Sequence, residues 1–86
     1  MIHRRLLGTS KNAHIDNANN VISATRLDGR TVVVMPLFGD EKQYLVTRTG
    51  DNPIHVWSKE RAVVVFLELM ECNVELNYEY IAEGFI

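Results

Sequence analysis

The chain has 86 residues, of which 47% are apolar and 23% charged, and a formal net charge of −2 at neutral pH. These values suit one globular core and leave no room for a second. The single Cys72 rules out an internal disulfide. A domain this short buries only roughly 60% of its unfolded surface, so a partner, including a second copy in a homodimer, would add to a thin stability margin.

Residues 1–20 read as an N-terminal arm, partly ordered at most, ahead of a single α+β domain at residues 21–86. Asn12, Asn17, Asn19 and Asn20, with Gly8, Ser10 and Asp16, carry side chains or backbone freedom that compete with regular structure. Arg4 and Arg5 are followed by only Leu6 and Leu7, which falls short of a signal-peptide core.

The stretch "VISATRLDGRTVVVM" then predicts a hairpin. Asp28-Gly29 suits a two-residue type I′ turn, in which both central residues take positive φ. Pairing outward from that turn sets Leu27 against Arg30, Thr25 against Val32, Ala24 against Val33 and Ile22 against Met35. The expected core face is Ile22, Ala24, Val33 and Met35, with Val32 and Val34 on the other side. Pro36 cannot donate to a ladder and ends the strand. A turn around Gly39-Asp40 leads to a third strand, "YLVTRT", and "GDNP" leads to a fourth short one, "IHVW". Short turns between extended segments imply an antiparallel meander.

Ser58 is a suitable N-cap and Glu60 complements the first turn of a helix expected at Lys59–Cys72. Val63-Val64-Val65 lowers intrinsic helix preference, so the expectation leans on burial. Asn73 is the expected left-handed stop. Beyond it Val74, Leu76, Tyr78 and Tyr80 alternate with Glu75, Asn77 and Glu79, and this period of two predicts a strand over 74–81. A rival reading continues the helix, because Glu68, Glu71, Glu75, Glu79 and Glu83 step by three and four. With the strand preferred, the expected fold is α+β. It has an antiparallel sheet of four to five strands in the order β-β-β-(β)-α-β and one helix packed on a face.

Chemistry-bearing patterns are sparse. His3, His14 and His55 show no ligand spacing, Cys72 reads as packing and Ser58 as a cap, and no glycine-rich phosphate loop is present. The expectation is a non-enzyme with no cofactor and no metal. The longest apolar run, Ala62 to Leu67, is too short to cross a membrane, and the lone cysteine suits a reducing cytoplasm.

Charge is the clearest functional cue. Residues 1–50 hold seven Lys/Arg against four Asp/Glu, whereas from Ala62 onward there are five glutamates and no basic residue. The expected role is a small interaction protein: a regulator, inhibitor or accessory subunit of the kind phages and bacteria encode. Glu68, Glu71, Glu75 and Glu79 with Tyr78, Tyr80 and Trp57 would face a protein with a basic surface, such as a nucleic-acid-processing protein. The alternative is a DNA- or RNA-binding module using Arg4, Arg5, Lys11, Arg26 and Arg30 against phosphates.

Overall fold

A computed structural model describes residues 1–37 and 43–85. Six strands form one antiparallel sheet in chain order: β1 (Ile2–Arg5), β2 (Asn12–Asp16), β3 (Val21–Thr25), β4 (Thr31–Pro36), β5 (Tyr44–Arg48) and β6 (Ile54–Val56). Two helices follow, α1 (Lys59–Leu69) and α2 (Val74–Phe85). The α+β class and the meander are as expected. The strand number, the order and the second helix are not. The expected turn around Gly39-Asp40 lies outside the described residues.

Residues 1–20 are not a flexible arm, because they supply β1 and β2. Ile2 pairs with Ile15, His3 with His14, Arg4 with Ala13 and Arg5 with Asn12. The asparagines that suggested disorder sit in the turns or on the exposed side: Asn20 takes φ 55 between β2 and β3, and Asn19 donates to the Asp16 carboxylate at 2.7 Å. That bond holds the Asp16 carboxyl below its ordinary pKa. Meanwhile Leu6, Ala13 and Ile15 are fully buried. Apolar alternation in the segment outweighed its turn-rich composition.

The β3–β4 hairpin differs from expectation by one residue. The Arg26 amide donates to the Arg30 carbonyl at 2.7 Å and the Gly29 amide to the Arg26 carbonyl at 3.1 Å, so the loop has three residues, with Gly29 at φ 87. A three-residue loop with a left-handed glycine is the common alternative to the type I′ turn. Ile22 therefore pairs with Val34 and Ala24 with Val32. A one-residue slip exchanges the two faces of a strand. Val32 and Val34 are in the core, while Val33 and Met35 are on the outer face.

Both helices cover one face of the sheet, α1 over β4 and β5 and α2 over β1 and β2. Between them lie Ile15, Ile22, Val34, Tyr44 and Val46 from the sheet, Val63, Phe66 and Leu67 from α1, and Ile81 and Phe85 from α2. A fully buried side chain of this size contributes about 1.5–3 kcal/mol, which offsets the weak helix preference of the three valines. The Ser58 hydroxyl accepts from the Arg61 amide at 3.0 Å, as a cap should.

The expected strand at 74–81 is helical. Its buried residues are Asn77, Ile81, Gly84 and Phe85, spaced by three and four. An asparagine and a glycine in that stripe conceal it from an apolar-periodicity reading. Gly84 is there for close packing: a Cβ would come within 2.8 Å of both Arg4 Nε and Ile15 Cδ1. Nor is Asn73 the left-handed stop. Glu71 takes that place at φ 61, with its amide bonded to Glu68 O and the Cys72 amide to Leu67 O, both at 3.0 Å. Those two bonds form a Schellman motif and end α1 before the expected Cys72. Asn73 instead starts α2, its Oδ1 accepting from the Leu76 amide at 2.8 Å.

Asn77 is the one buried polar residue among those described. Its Oδ1 accepts from the Leu7 amide at 2.6 Å, and its Nδ2 donates to Leu7 O at 3.1 Å and to Asn73 O at 2.9 Å. The side chain thus pairs with Leu7 as a neighbouring strand would. Replacing Asn77 with Leu strands the Leu7 amide and carbonyl beside an apolar group. The expected cost is about 1–3 kcal/mol of stability, with hydrogen exchange in β1 and β2 speeding up more than in β4. Urea titration and exchange NMR check both. An unchanged unfolding midpoint would show that the pairing adds nothing.

Candidate partner-binding surface

Asn77, Ile81 and Phe85 fix which way α2 faces, and the opposite side is therefore set as well. Glu75, Glu79 and Glu83 lie in line at intervals of four residues, all exposed. Beside them are Leu76, 54% exposed, and the half-buried Tyr80, also four residues apart. The acidic row therefore runs along an apolar-aromatic one. Leu76 belongs to this ridge, although a strand reading places it with the core-facing residues.

Arg4 marks one boundary of the ridge. Its guanidinium lies 4.9 Å from the centre of the Tyr80 ring and 3.8 Å from the Glu83 carboxylate. It holds Tyr80 against β1 by a cation–π contact. Glu75 and Glu79 make no ion pair among the described residues, so their charge is open to an incoming group.

The other candidate residues separate into different places. Tyr78 is on the opposite flank of α2, over a shallow cleft shared with Lys59, Val63 and Ala82. Glu68 is exposed near the end of α1. Glu71 is occupied at the corner between the helices, where Arg26 meets it at 3.0 Å. Trp57 lies across the molecule, stacked on His55 with ring centres 4.3 Å apart. His55 pairs with Leu45 on the sheet face the helices leave bare. Of the single acidic-aromatic surface expected from sequence, Glu75, Glu79 and Tyr80 form an α2 ridge, while Glu68, Glu71, Tyr78 and Trp57 lie elsewhere.

The basic residues are also divided. Arg26 ties the β3–β4 hairpin to the helix corner, donating to Leu69 O at 3.1 Å and pairing with Asp28 at 3.1 Å as well as with Glu71. Arg30 approaches Asp28 and Asp51 at 3.9 and 3.8 Å. The Arg30 amide, bonded to the Asp28 carboxylate at 3.1 Å, is the main reason that carboxyl titrates below its ordinary value. Arg5 is exposed on the bare sheet face and donates to Thr9 O at 3.3 Å. Lys11 lines a cleft of about 350 Å³ between the β1–β2 turn and the helix corner, together with Arg26, Asp28, Glu71 and Cys72. Carboxylates and cations alternate there, so the cleft has no strong charge preference. Burial raises the pKa of the Cys72 thiol, which reduces its thiolate content. No three His, Cys, Asp or Glu side chains among the described residues converge on a common point, and no helix there is long and apolar enough to cross a membrane.

Asn73 sets the start of α2 and so the position of Glu75 in its first turn. Asn73→Ala removes the cap on the Leu76 amide. The expected loss is about 1 kcal/mol, with fraying confined to the first turn of α2. Amide exchange at Leu76 checks this, and unaltered protection there would contradict it.

No protein-family model matches the chain, and neither a curated protein nor a solved structure matches it. The functional reading rests on the surface itself.

Proposed function

We propose that the protein is a small non-enzymatic interaction module that lays its α2 ridge on a basic surface of a larger protein, as a regulator, inhibitor or accessory subunit does. The observation that carries the reading is the alignment of exposed Glu75, Glu79 and Glu83 beside Leu76 and Tyr80 on one helix face. Four residues of helix rise about 6 Å, so the carboxylates form a regular row that a line of lysines or arginines can match. Leu76 and Tyr80 add an anchor pair at the spacing used by helices that bind in grooves. A phosphate-binding cleft of a nucleic-acid-processing protein has the complementary charge, and occupying it would inhibit.

Rim charges act mainly on association rate and salt dependence, and the apolar anchors on residence time. Reversal of both Glu75 and Glu79 to Lys is expected to weaken the complex by at least about tenfold at low salt without altering the unfolding midpoint. Capture from a native lysate, followed by titration against the purified partner, measures this. Trp57→Ala, on the opposite side of the sheet, should retain the partner. Undiminished binding by the Glu75→Lys/Glu79→Lys variant, or loss only with Trp57→Ala, would overturn the assignment.

A further inference from the structure

The bare face of the sheet carries all three histidines, and two of them meet. His3 on β1 is in direct register with His14 on β2. Their rings are 4.5 Å apart between centres, at an interplanar angle of 70°, and both residues are exposed. The sequence gives no sign of this pair, since ten residues and a turn separate the two positions. Antiparallel pairing alone brings them together. The third histidine, His55, is on β6 with β3, β4 and β5 intervening, and it stacks on Trp57 instead.

We infer that His3 and His14 form a two-point site for a borderline divalent cation of the Cu2+, Ni2+ or Zn2+ type. Imidazole nitrogen is the preferred protein ligand of these ions. With metal–nitrogen bonds of about 2.0–2.1 Å, two imidazoles that share an ion must be immediate neighbours, as these two edge-to-face rings are. Facing side chains in an antiparallel pair start from Cβ atoms about 4.5–5.5 Å apart, so both rings reach a common point by side-chain rotation without backbone change. The face is open to solvent at this row, whose next member is Ser23 on β3. No third His, Cys, Asp or Glu in the described residues completes the shell, so water fills the remaining positions. Two-ligand sites follow the general affinity order, with Cu2+ bound more tightly than Ni2+ or Zn2+. An ion held by β1 and β2 together also clips the edge strand to its neighbour, and the unfolded chain has no such pair in register. Metal therefore favours the folded form.

The experiment uses the tag-free chain titrated with NiCl2 and CuCl2 by calorimetry, with thermal unfolding followed in parallel. One ion should bind per chain, Cu2+ more tightly than Ni2+, and both should raise the unfolding midpoint. His3→Ala and His14→Ala should each weaken binding by at least about tenfold, the consequence of losing one of two ligands. His55→Ala should leave affinity unchanged. Unfolding midpoints without metal show that each variant is folded, as expected for exposed positions. The inference fails if His55→Ala weakens binding as much as the other two, if either His3→Ala or His14→Ala leaves binding unchanged (loss with His3→Ala alone would place the ion on the Met1 amine and His3 instead), or if millimolar Ni2+ produces no binding and no stabilisation.

Discussion

The amide of Asn77 joins the two ends of the chain, and much of the architecture depends on that junction. Helix α2 closes over β1 and β2, which are the first strands in sequence and lie at one edge of the sheet. Apolar contact through Ile81 and Phe85 supplies attraction but little direction. The three hydrogen bonds of Asn77, two to Leu7 and one to Asn73, set the rotation of α2 about its axis and tie its first turn to the β1–β2 turn. Gly84 sets the separation at the other end, where any side chain would meet Arg4 and Ile15. A polar contact at one end and a missing side chain at the other thus dock the helix in one orientation. The acidic ridge follows from that orientation, since Glu75, Glu79 and Glu83 can only face away from Asn77 and Ile81.

The molecule has two chemically distinct sides. One is the helical layer, with no basic residue from Ala62 onward. The other is the bare sheet face, lined by histidines, threonines, Val33, Met35 and Leu45, with the exposed Trp57 at its edge. Two of the six arginines work as struts between them. Arg26 holds the β3–β4 hairpin to the carbonyl end of α1, and Arg4 reaches under α2 to Tyr80 and Glu83. Engaged in this way, Arg4 and Arg26 present less open charge than the exposed Arg5 and Arg30. Glu71 shows the same economy: it accepts a left-handed backbone at the helix corner and also meets Arg26.

Much of the sheet was legible because period-two alternation and turn residues act locally. β3, β4, β5 and β6 stand where the apolar runs and the Asp-Gly and Asn-Pro signals place them, and Ser58 caps α1 as its position implies. Three features were hidden for separate physical reasons. The hairpin register turns on whether Asp28-Gly29 closes a two- or a three-residue loop, and both loops use a left-handed glycine. β1 and β2 are short and lead into an asparagine-rich turn, and the alternation of Ala13 and Ile15 that decides their burial is too brief to stand out in the linear sequence. Helix α2 puts an asparagine and a glycine in its core stripe, so the remaining apolar residues fall by chance into a strand-like alternation. The glutamates at every fourth position carried the correct period. Of the expected binding residues, Glu75, Glu79 and Tyr80 come together; strand periodicity groups Leu76 with both Tyr78 and Tyr80, whereas the helix keeps it beside Tyr80 and turns Tyr78 to the other flank. The His3–His14 pair depends wholly on strand pairing and is not visible in the linear order.

The central claim is that the outward face of α2 is the docking surface. Its most direct test is backbone amide NMR of isotope-labelled protein mixed with the captured partner. The account predicts line broadening or shift changes centred on Glu75, Leu76, Glu79, Tyr80 and Glu83, reduced by added salt. Changes centred instead on Val33, Leu45, His55 and Trp57, with α2 unaffected, would contradict it and move the interface to the bare side of the sheet.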